Sequence, residues 1–286
     1  TASAVPTGDV VAPDSGETRI SNIRQLTNGG ENAEAYFSAD GQWITFQSTR
    51  DGRTCDQQYV MRRDGTGLKK VSVGGKTTCG WFLPGSQRLF FASTHATDSS
   101  CPVKADPSQG YVWGIDPFDI YTVGRDGRDL KRLTNYGVYT AEGVLSPDGK
   151  YDGGPWWSPD GRKIVYRAWH YTDATELKAY QDLLGKRMIR PNRMELFVMN
   201  ADGSEQRQIT KLGGANFGPS WTPDGKRIIF SSNHRNPRSR NFDLFLVNVD
   251  GTGLERLTTH EDFDGFPMFS PDGKSLIWAS NRHDAK

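Results

Sequence analysis

Apolar and polar positions alternate along this chain in short runs, and nearly every run ends at an Asp-Gly turn. Five runs close on a Ser/Thr-x-Asp-Gly turn: Phe37 to Gly41, Leu145 to Gly149, Trp157 to Gly161, Trp221 to Gly225 and Phe269 to Gly273. A degenerate copy, Phe82-Leu-Pro-Gly-Ser86, stands between the first two. Apart from the turn at Gly149, each leads into a second apolar strand: Trp43–Ser48, Leu89–Thr94, Ile164–Ala168, Ile228–Ser232 and Leu276–Ser280. In such turns Pro fixes φ, Asp bonds nearby backbone and Gly accepts positive φ. A third strand follows (Gln58–Met61, Asp119–Val123, Glu195–Met199, Asp243–Val247), then another Asp-Gly turn. A fourth ends in an apolar–hydroxyl pair: Val71-Ser72, Leu133-Thr134, Ile209-Thr210 and Leu257-Thr258.

Four antiparallel strands in about 45 residues is the period of a β-propeller blade. Positions 41, 86, 149, 161, 225 and 273 are separated by 45, 63, 12, 64 and 48 residues. The long steps hold insertions at 95–117 and 171–193. The step of 12 runs Lys150 straight into the next blade, so the third blade is truncated, or a stretch of about 35 residues is skipped after Lys150. Raw sheet edges are avoided in closed rings, which favours the skipped stretch. The last blade stops after two strands near Arg282, while Arg19–Thr27 reads as an orphan fourth strand that completes it. The expected fold is all-β: a six-bladed β-propeller of four-stranded antiparallel blades, residues 19–286, behind a flexible lead-in at 1–18.

The Ser-Pro-Asp-Gly, Leu-Phe-x-x-Asn-x-Asp-Gly and Arg-Leu-Thr elements resemble those of TolB-like β-propellers over about residues 19–284. The resemblance implies a periplasmic or secreted protein that binds partners through its faces. Similar blades also stand beside serine-peptidase domains and in some polysaccharide lyases, so fold alone does not give function.

Composition narrows the classes. The 286 residues include 32 Gly, and 35 Lys and Arg nearly balance 34 Asp and Glu, which argues against a dedicated nucleic-acid binder. No apolar run reaches membrane-spanning length, and a mature N-terminus would have shed any leader.

Nine residues past the turn glycines and Ser86 stand Arg50, His95, His170, His234 and Arg282. Such a ring around one channel mouth could bind an anion, or a divalent metal through three imidazoles; alternatively each side chain packs within its own blade. Nine residues before lie Asn32, Thr77, Thr140, Asp152, Asn216 and Asp264, with Glu34 and Glu142 two positions on. They form a polar collar or local backbone caps. Oxygen ligands make calcium conceivable, but no EF-hand loop is present; no cofactor is expected. The odd cysteine count disfavours zinc. A Cys79–Cys101 disulfide or reduced, buried cysteines are the two readings. Within the second insertion Asp173 to Glu176 caps a helix with Leu177, Tyr180, Leu183 and Leu184 on one stripe and Gly185 as stop.

Catalytic motifs are missing: there is no Gly-x-Ser-x-Gly elbow and no His-Glu-x-x-His pair. Trp156, Trp157 and Trp221 read as core. The expected function is non-enzymatic binding or scaffolding in the periplasm or outside the cell. The partner is a protein or glycan held through one face, with stacking into homo-oligomers or filaments as a variant. The alternative is a polysaccharide lyase or glycoside hydrolase using the same His/Arg/Asp face.

Overall fold

A computed structural model describes residues 8–83, 85–103, 112–141, 144–145 and 151–282. It is an all-β fold in a β-propeller arrangement with one helix. Strands β1 (Asp9–Val11) and β2 (Ile23–Gln25) pair with each other. The first blade is β3 (Glu31–Phe37), β4 (Trp43–Thr49), β5 (Gln57–Arg62) and β6 (Lys69–Lys70). The second is β7 (Thr77–Phe82), β8 (Arg88–Ser93), β10 (Asp119–Gly124) and β11 (Lys131–Arg132), with β9 (Trp113–Gly114) in its insertion. A two-residue β12 (Val144–Leu145) adds to the inner edge of β13 (Tyr151–Trp157), whose sheet continues through β14 (Lys163–Trp169), β16 (Glu195–Asn200) and β17 (Arg207–Gln208). Helix α1 (Ala174–Gly185) and β15 (Met188–Ile189) form that sheet's insertion. The next blade is β18 (Asn216–Trp221), β19 (Arg227–Ser232), β20 (Asp243–Asn248) and β21 (Glu255–Arg256). The chain ends in the hairpin β22 (Asp264–Phe269) and β23 (Leu276–Ser280).

Four sheets therefore carry a full set of four strands, where the sequence leads one to expect six blades. Of the expected third blade, the described residues include one strand, β12. The last sheet has two strands, and among the described residues β1 and β2 pair only with each other, so the N-terminal strand does not complete it as the sequence leads one to expect. The segment between β1 and β2 is tied to the end of the chain by polar contacts. Both carboxylate oxygens of Glu17 accept from the Arg282 guanidinium at 3.0 Å, and Thr259 donates its N–H to Glu17 at 3.0 Å. Residues 8–18 thus carry strand β1 and the buried Glu17.

The turns work as their sequence predicts. Asp40 accepts from the Ser38 hydroxyl (2.5 Å) and the Gln42 N–H (3.0 Å), and Gly41 takes φ 65°. The Ser158/Asp160, Thr222/Asp224 and Ser270/Asp272 turns repeat the hydroxyl bond at 2.6 Å. That hydroxyl bond, foremost, holds each of these aspartates below the ordinary carboxylate range. The apolar–hydroxyl pairs are splices between third and fourth strands. Thr210 and Thr258 accept the N–H of Leu196 (2.8 Å) and Leu244 (2.9 Å), while the neighbouring Ile209 and Leu257 are buried between blades.

Each inner strand also carries a bulge, and the bulged residues Glu34, Cys79, Gly154, Gly218 and Phe266 all take φ between 51° and 59°. An extra residue in the left-handed region bends the strand where it approaches the axis. The axis itself is filled: Tyr36 stacks on Trp156 at 5.3 Å, and Trp81 meets both edge-on at 6.5 Å.

Candidate functional site

The two periodic polar sets turn out to be one device. Cross-strand register puts Asn32 opposite Ser48, Thr77 opposite Ser93, Asn216 opposite Ser232 and Asp264 opposite Ser280. The Ser48 hydroxyl donates to Asn32 Oδ1 (2.9 Å), and Arg50 donates to both Ser48 Oγ (2.9 Å) and Asn32 Oδ1 (2.8 Å). Arg282 does the same with Ser280 Oγ (3.1 Å) and Asp264 Oδ2 (2.8 Å). At His234 the Ser232 hydroxyl gives its single proton to Asn216 Oδ1 (2.5 Å). The imidazole Nδ1, 2.9 Å from the same oxygen, must therefore be the donor to it. His95 Nδ1 lies 2.9 Å from Ser93 Oγ.

An aromatic stack backs this clasp in four sheets. Phe46–Tyr59, Phe91–Tyr121, Tyr166–Phe197 and Phe230–Phe245 stack across the second and third strands at 5.6–6.0 Å. The ring residue caps the third-strand aromatic: Arg50 over Tyr59 (5.5 Å), His95 on Tyr121 (4.2 Å), His170 on Phe197 (5.1 Å) and His234 on Phe245 (4.6 Å). A guanidinium on an aromatic face is worth about 0.5–1 kcal/mol at such half-exposed sites.

Arg50, His95 and His234 are thus bonded within their own sheets, Arg282 joins its sheet to Glu17 of the N-terminal segment, and His170 rests on Phe197. Asp264 is fully buried between Trp278 Nε1 and Arg282. Glu34 is buried too, and spans blades instead of facing a ligand: it accepts the Cys79 N–H at 2.9 Å. Asp152 lies in β13, and Glu142 lies outside the described residues. Among the described residues no three His, Cys, Asp or Glu side chains come together as metal ligands. Between the inner strands there is a cavity of about 30 Å³ beside Tyr36, Trp81 and Trp156, room for about one water.

Sequence reasoning missed the carboxylates that begin the third strands. Asp119, Glu195 and Asp243 are all buried. Glu195 accepts from the Thr210 hydroxyl (2.6 Å) and from the N–H groups of Leu212 and Gly213. Asp119 pairs with Arg132 at 2.5 Å and Asp243 with Arg256 at 2.7 Å. Burial outweighs the Arg256 charge and raises the Asp243 carboxyl above the usual range. The available signal was an acid at the same place before three third strands.

The cysteines pair otherwise than expected. Cys55 and Cys101 form the disulfide, with Cα atoms 5.5 Å apart, and Cys79 is a buried residue outside it. The reason is local. Ser99 O accepts the Gly75 N–H at 2.8 Å, which pins the start of the insertion where Gly75 O lies 3.2 Å from Cys55 Sγ. Cys79 instead occupies the β7 bulge at the axis.

The insertion helix is capped as its sequence predicts, by Asp173 accepting from Thr175 and Glu176 N–H at 2.9 Å. Glu176, however, pairs with Arg193 rather than closing a capping box. The apolar stripe is docked: Tyr180 packs with Ile189 and Met194, flanked by Leu177, Leu184 and Trp113. Strands β9 and β15 zip the two insertions together.

Burial, foremost, holds the His95 and His234 imidazoles below their ordinary value of 6.5. The unfolded chain then binds more protons than the fold just below pH 6.5. Stability is accordingly full above pH 6.5 and falls as pH drops toward the folded values. We expect the melting temperature to decline from pH 7 to 5, and the His95→Gln/His234→Gln variant to lose much of that slope. A slope unchanged in the variant would show that these rings are not its source.

The fold and its clasps define a propeller in which the repeated polar positions serve architecture. No family model matches the chain. It is 28% identical over 116 residues to the Tol-Pal system protein TolB of Alcanivorax borkumensis, which covers 41% of this chain and 20% of that protein. A dipeptidyl-peptidase 5 from Porphyromonas gingivalis is 40% identical over 76 residues, 27% of this chain and 9% of that one. The chain thus spans a fifth or less of the length of either relative. Among solved structures, Kuenenia stuttgartiensis hydrazine synthase superposes with a TM-score of 0.51 at 15% identity, over 91% of this chain and 76% of that one, a likeness of fold alone. Together with the repeat, the TolB match points to TolB-like β-propeller proteins.

Proposed function

We propose that this chain is a non-enzymatic binding propeller that works outside the cytoplasm, in the periplasm or beyond, and engages the anionic surface of a protein or glycan partner. The observation that carries the reading is where the exposed charge lies. The ring and collar are spent inside the sheets, whereas the loops on the same face carry exposed cations. Lys186, Arg187 and Arg190 stand on one loop, where the neighbouring Arg193 pairs with Glu176; Arg235, Arg238 and Arg240 stand on the next blade's loop. The loops are adjacent: Met194 donates its N–H to Gly214 O, and Ala215 donates to Asn233 Oδ1 at 2.8 Å. With a net charge of only +1, these two loops concentrate positive charge at the expense of the rest.

Two further facts support the placement. A Cys55–Cys101 disulfide suits an oxidising compartment, and the TolB relative is a Tol-Pal system protein. No helix among the described residues is long and apolar enough to cross a membrane. The lyase or hydrolase alternative needs converging His, Arg and carboxylate side chains, and gains no support from residues clasped within separate sheets.

The test is retention on a heparin matrix against salt. Wild type is expected to be retained and the Arg235→Glu/Arg238→Glu/Arg240→Glu variant to flow through with an unchanged circular dichroism spectrum. Equal elution of the two would remove the basic face from the account.

A further inference from the structure

The two insertions are joined into one strap, and the Cys55–Cys101 disulfide holds its near end. The insertion 95–117 leaves β8 in a tight loop: Thr97 and Asp98 donate their N–H groups to Thr94 O, and Thr94 Oγ1 donates to Asp98 O. Cys101 then reaches Cys55 between β4 and β5, which ties the insertion of the second blade to the first blade. At its far end the same insertion holds the basic loop. Trp113 and Gly114 pair with Ile189 and Met188, and Ile115 donates its N–H to Arg187 O at 2.7 Å. Arg187 takes φ 56°, a left-handed conformation that a residue with a side chain keeps only where its surroundings impose it. Lys186 and Arg187 precede β15 and Arg190 follows it, so the ladder to β9 sets the place of these exposed cations. The strap is fixed there by Trp113, over the buried Arg167 guanidinium at 5.4 Å and edge-on to Phe217, and by Asp116, paired with Lys76 at 2.9 Å.

The surroundings of the disulfide suit both redox states. Cys101 is partly exposed, so a thiol can reach its sulfur, whereas Cys55 is buried. Gly75 O lies 3.2 Å from Cys55 Sγ and would accept the S–H that reduction leaves there. The fully buried Gln57 holds that carbonyl in place by donating to it from Nε2. A side chain at Gly75 would meet His95 N and Thr94 Oγ1 at 2.7 Å, so only glycine brings the carbonyl this close.

We propose that the Cys55–Cys101 disulfide is a redox-sensitive anchor that, through this strap, keeps the 186–190 loop in the place from which its cations are presented. The effect on binding rests on the basic-loop reading above; the anchoring itself does not. A dithiol reductant switches it. The reductant's thiolate attacks Cys101 Sγ, the S–S bond breaks, and Cys55 leaves as a thiolate that takes up a proton. The reductant's second thiol then displaces the first from the mixed disulfide, so two electrons and two protons pass to the protein and the reductant is left as a disulfide. Both chain sulfurs end as thiols, and the strap keeps only its noncovalent ties.

Hydrogen exchange on the folded protein, with and without dithiothreitol, tests the anchor. After reduction the amides of 113–115 and 187–189 are expected to exchange about tenfold faster or more, while those of β19 and β20 stay unchanged. Trypsin should cut faster after Arg187, and the reduced protein should leave heparin at lower salt. Cys55→Ser/Cys101→Ser should match the reduced protein with or without dithiothreitol. Exchange at 113–115 and 187–189 that ignores reduction overturns the proposal, and so does an equal rise in every sheet. Local loosening without a change in elution also overturns it, because the cations would then not depend on the strap. An oxidised wild type that heparin does not hold would remove the basic face, and the exchange result would still decide the anchor.

Discussion

Arg282→Ala is expected to cost about 3–5 kcal/mol of stability, the usual result of stripping one partner from a buried ion cluster. The Arg282 side chain is 6% exposed, and both carboxylates it holds, Glu17 and Asp264, are fully covered. Removing the guanidinium leaves two buried charges facing each other, and also unhooks the N-terminal pair from the last hairpin. Arg282→Lys should recover part of the loss, since an ammonium keeps the charge but not the fork. Acid should act on the same contact. Burial works to raise the Glu17 carboxyl, but the hydrogen bonds from Arg282, Asp14 and Thr259 outweigh it and leave it below its ordinary 4.5. The contribution is therefore present above that value and is lost as pH falls through the lower folded value. Urea midpoints at neutral and acid pH measure both effects. If Arg282→Ala unfolds at the wild-type midpoint, the Arg282–Glu17–Asp264 cluster does not stabilise the fold.

Trp221→Ala should be as damaging, about 3–5 kcal/mol, while Trp157→Ala should stay within about 0.5 kcal/mol. The two tryptophans occupy the same place in successive sheets. Trp221 fills the space over Val165, Leu196 and Ile209 and donates Nε1–H to Trp156 O at 3.0 Å, whereas Trp157 is 55% exposed. Thermal melts of the two variants compare them directly. Equal destabilisation would mean that Trp157 is covered in solution.

Much of the fold was legible because turn chemistry is local. Asp-Gly at a fixed offset from an apolar run specifies a hairpin without knowledge of the rest of the molecule, and Asp173 announces its helix in the same way. The count of blades was less so. Six turns were visible, yet β12 cannot make a sheet without strands that follow it. The bonds within the sheets were not read from the sequence, for a geometric reason. The hairpin sets the residue nine before the turn glycine opposite the one seven after it, as Asn32 faces Ser48, and the ring residue two positions further on reaches back to that pair. The offset was present in the sequence, but the register that turns it into a clasp was not read from it. The disulfide was not legible, because nothing local says that Gly75 would bring Ser99 and the insertion beside Cys55. The basic face was hidden by a near-zero net charge, since charge totals say nothing about which loops share an end of the ring.

Double-mutant cycles on Arg50 test the central claim, that the repeated polar residues are clasps within sheets and not a shared ring. The account predicts a coupling of about 0.5–3 kcal/mol between Arg50→Ala and Asn32→Ala, and additivity within about 0.3–0.5 kcal/mol between Arg50→Ala and His234→Ala. A coupling across sheets as large as the one within the first blade would contradict it.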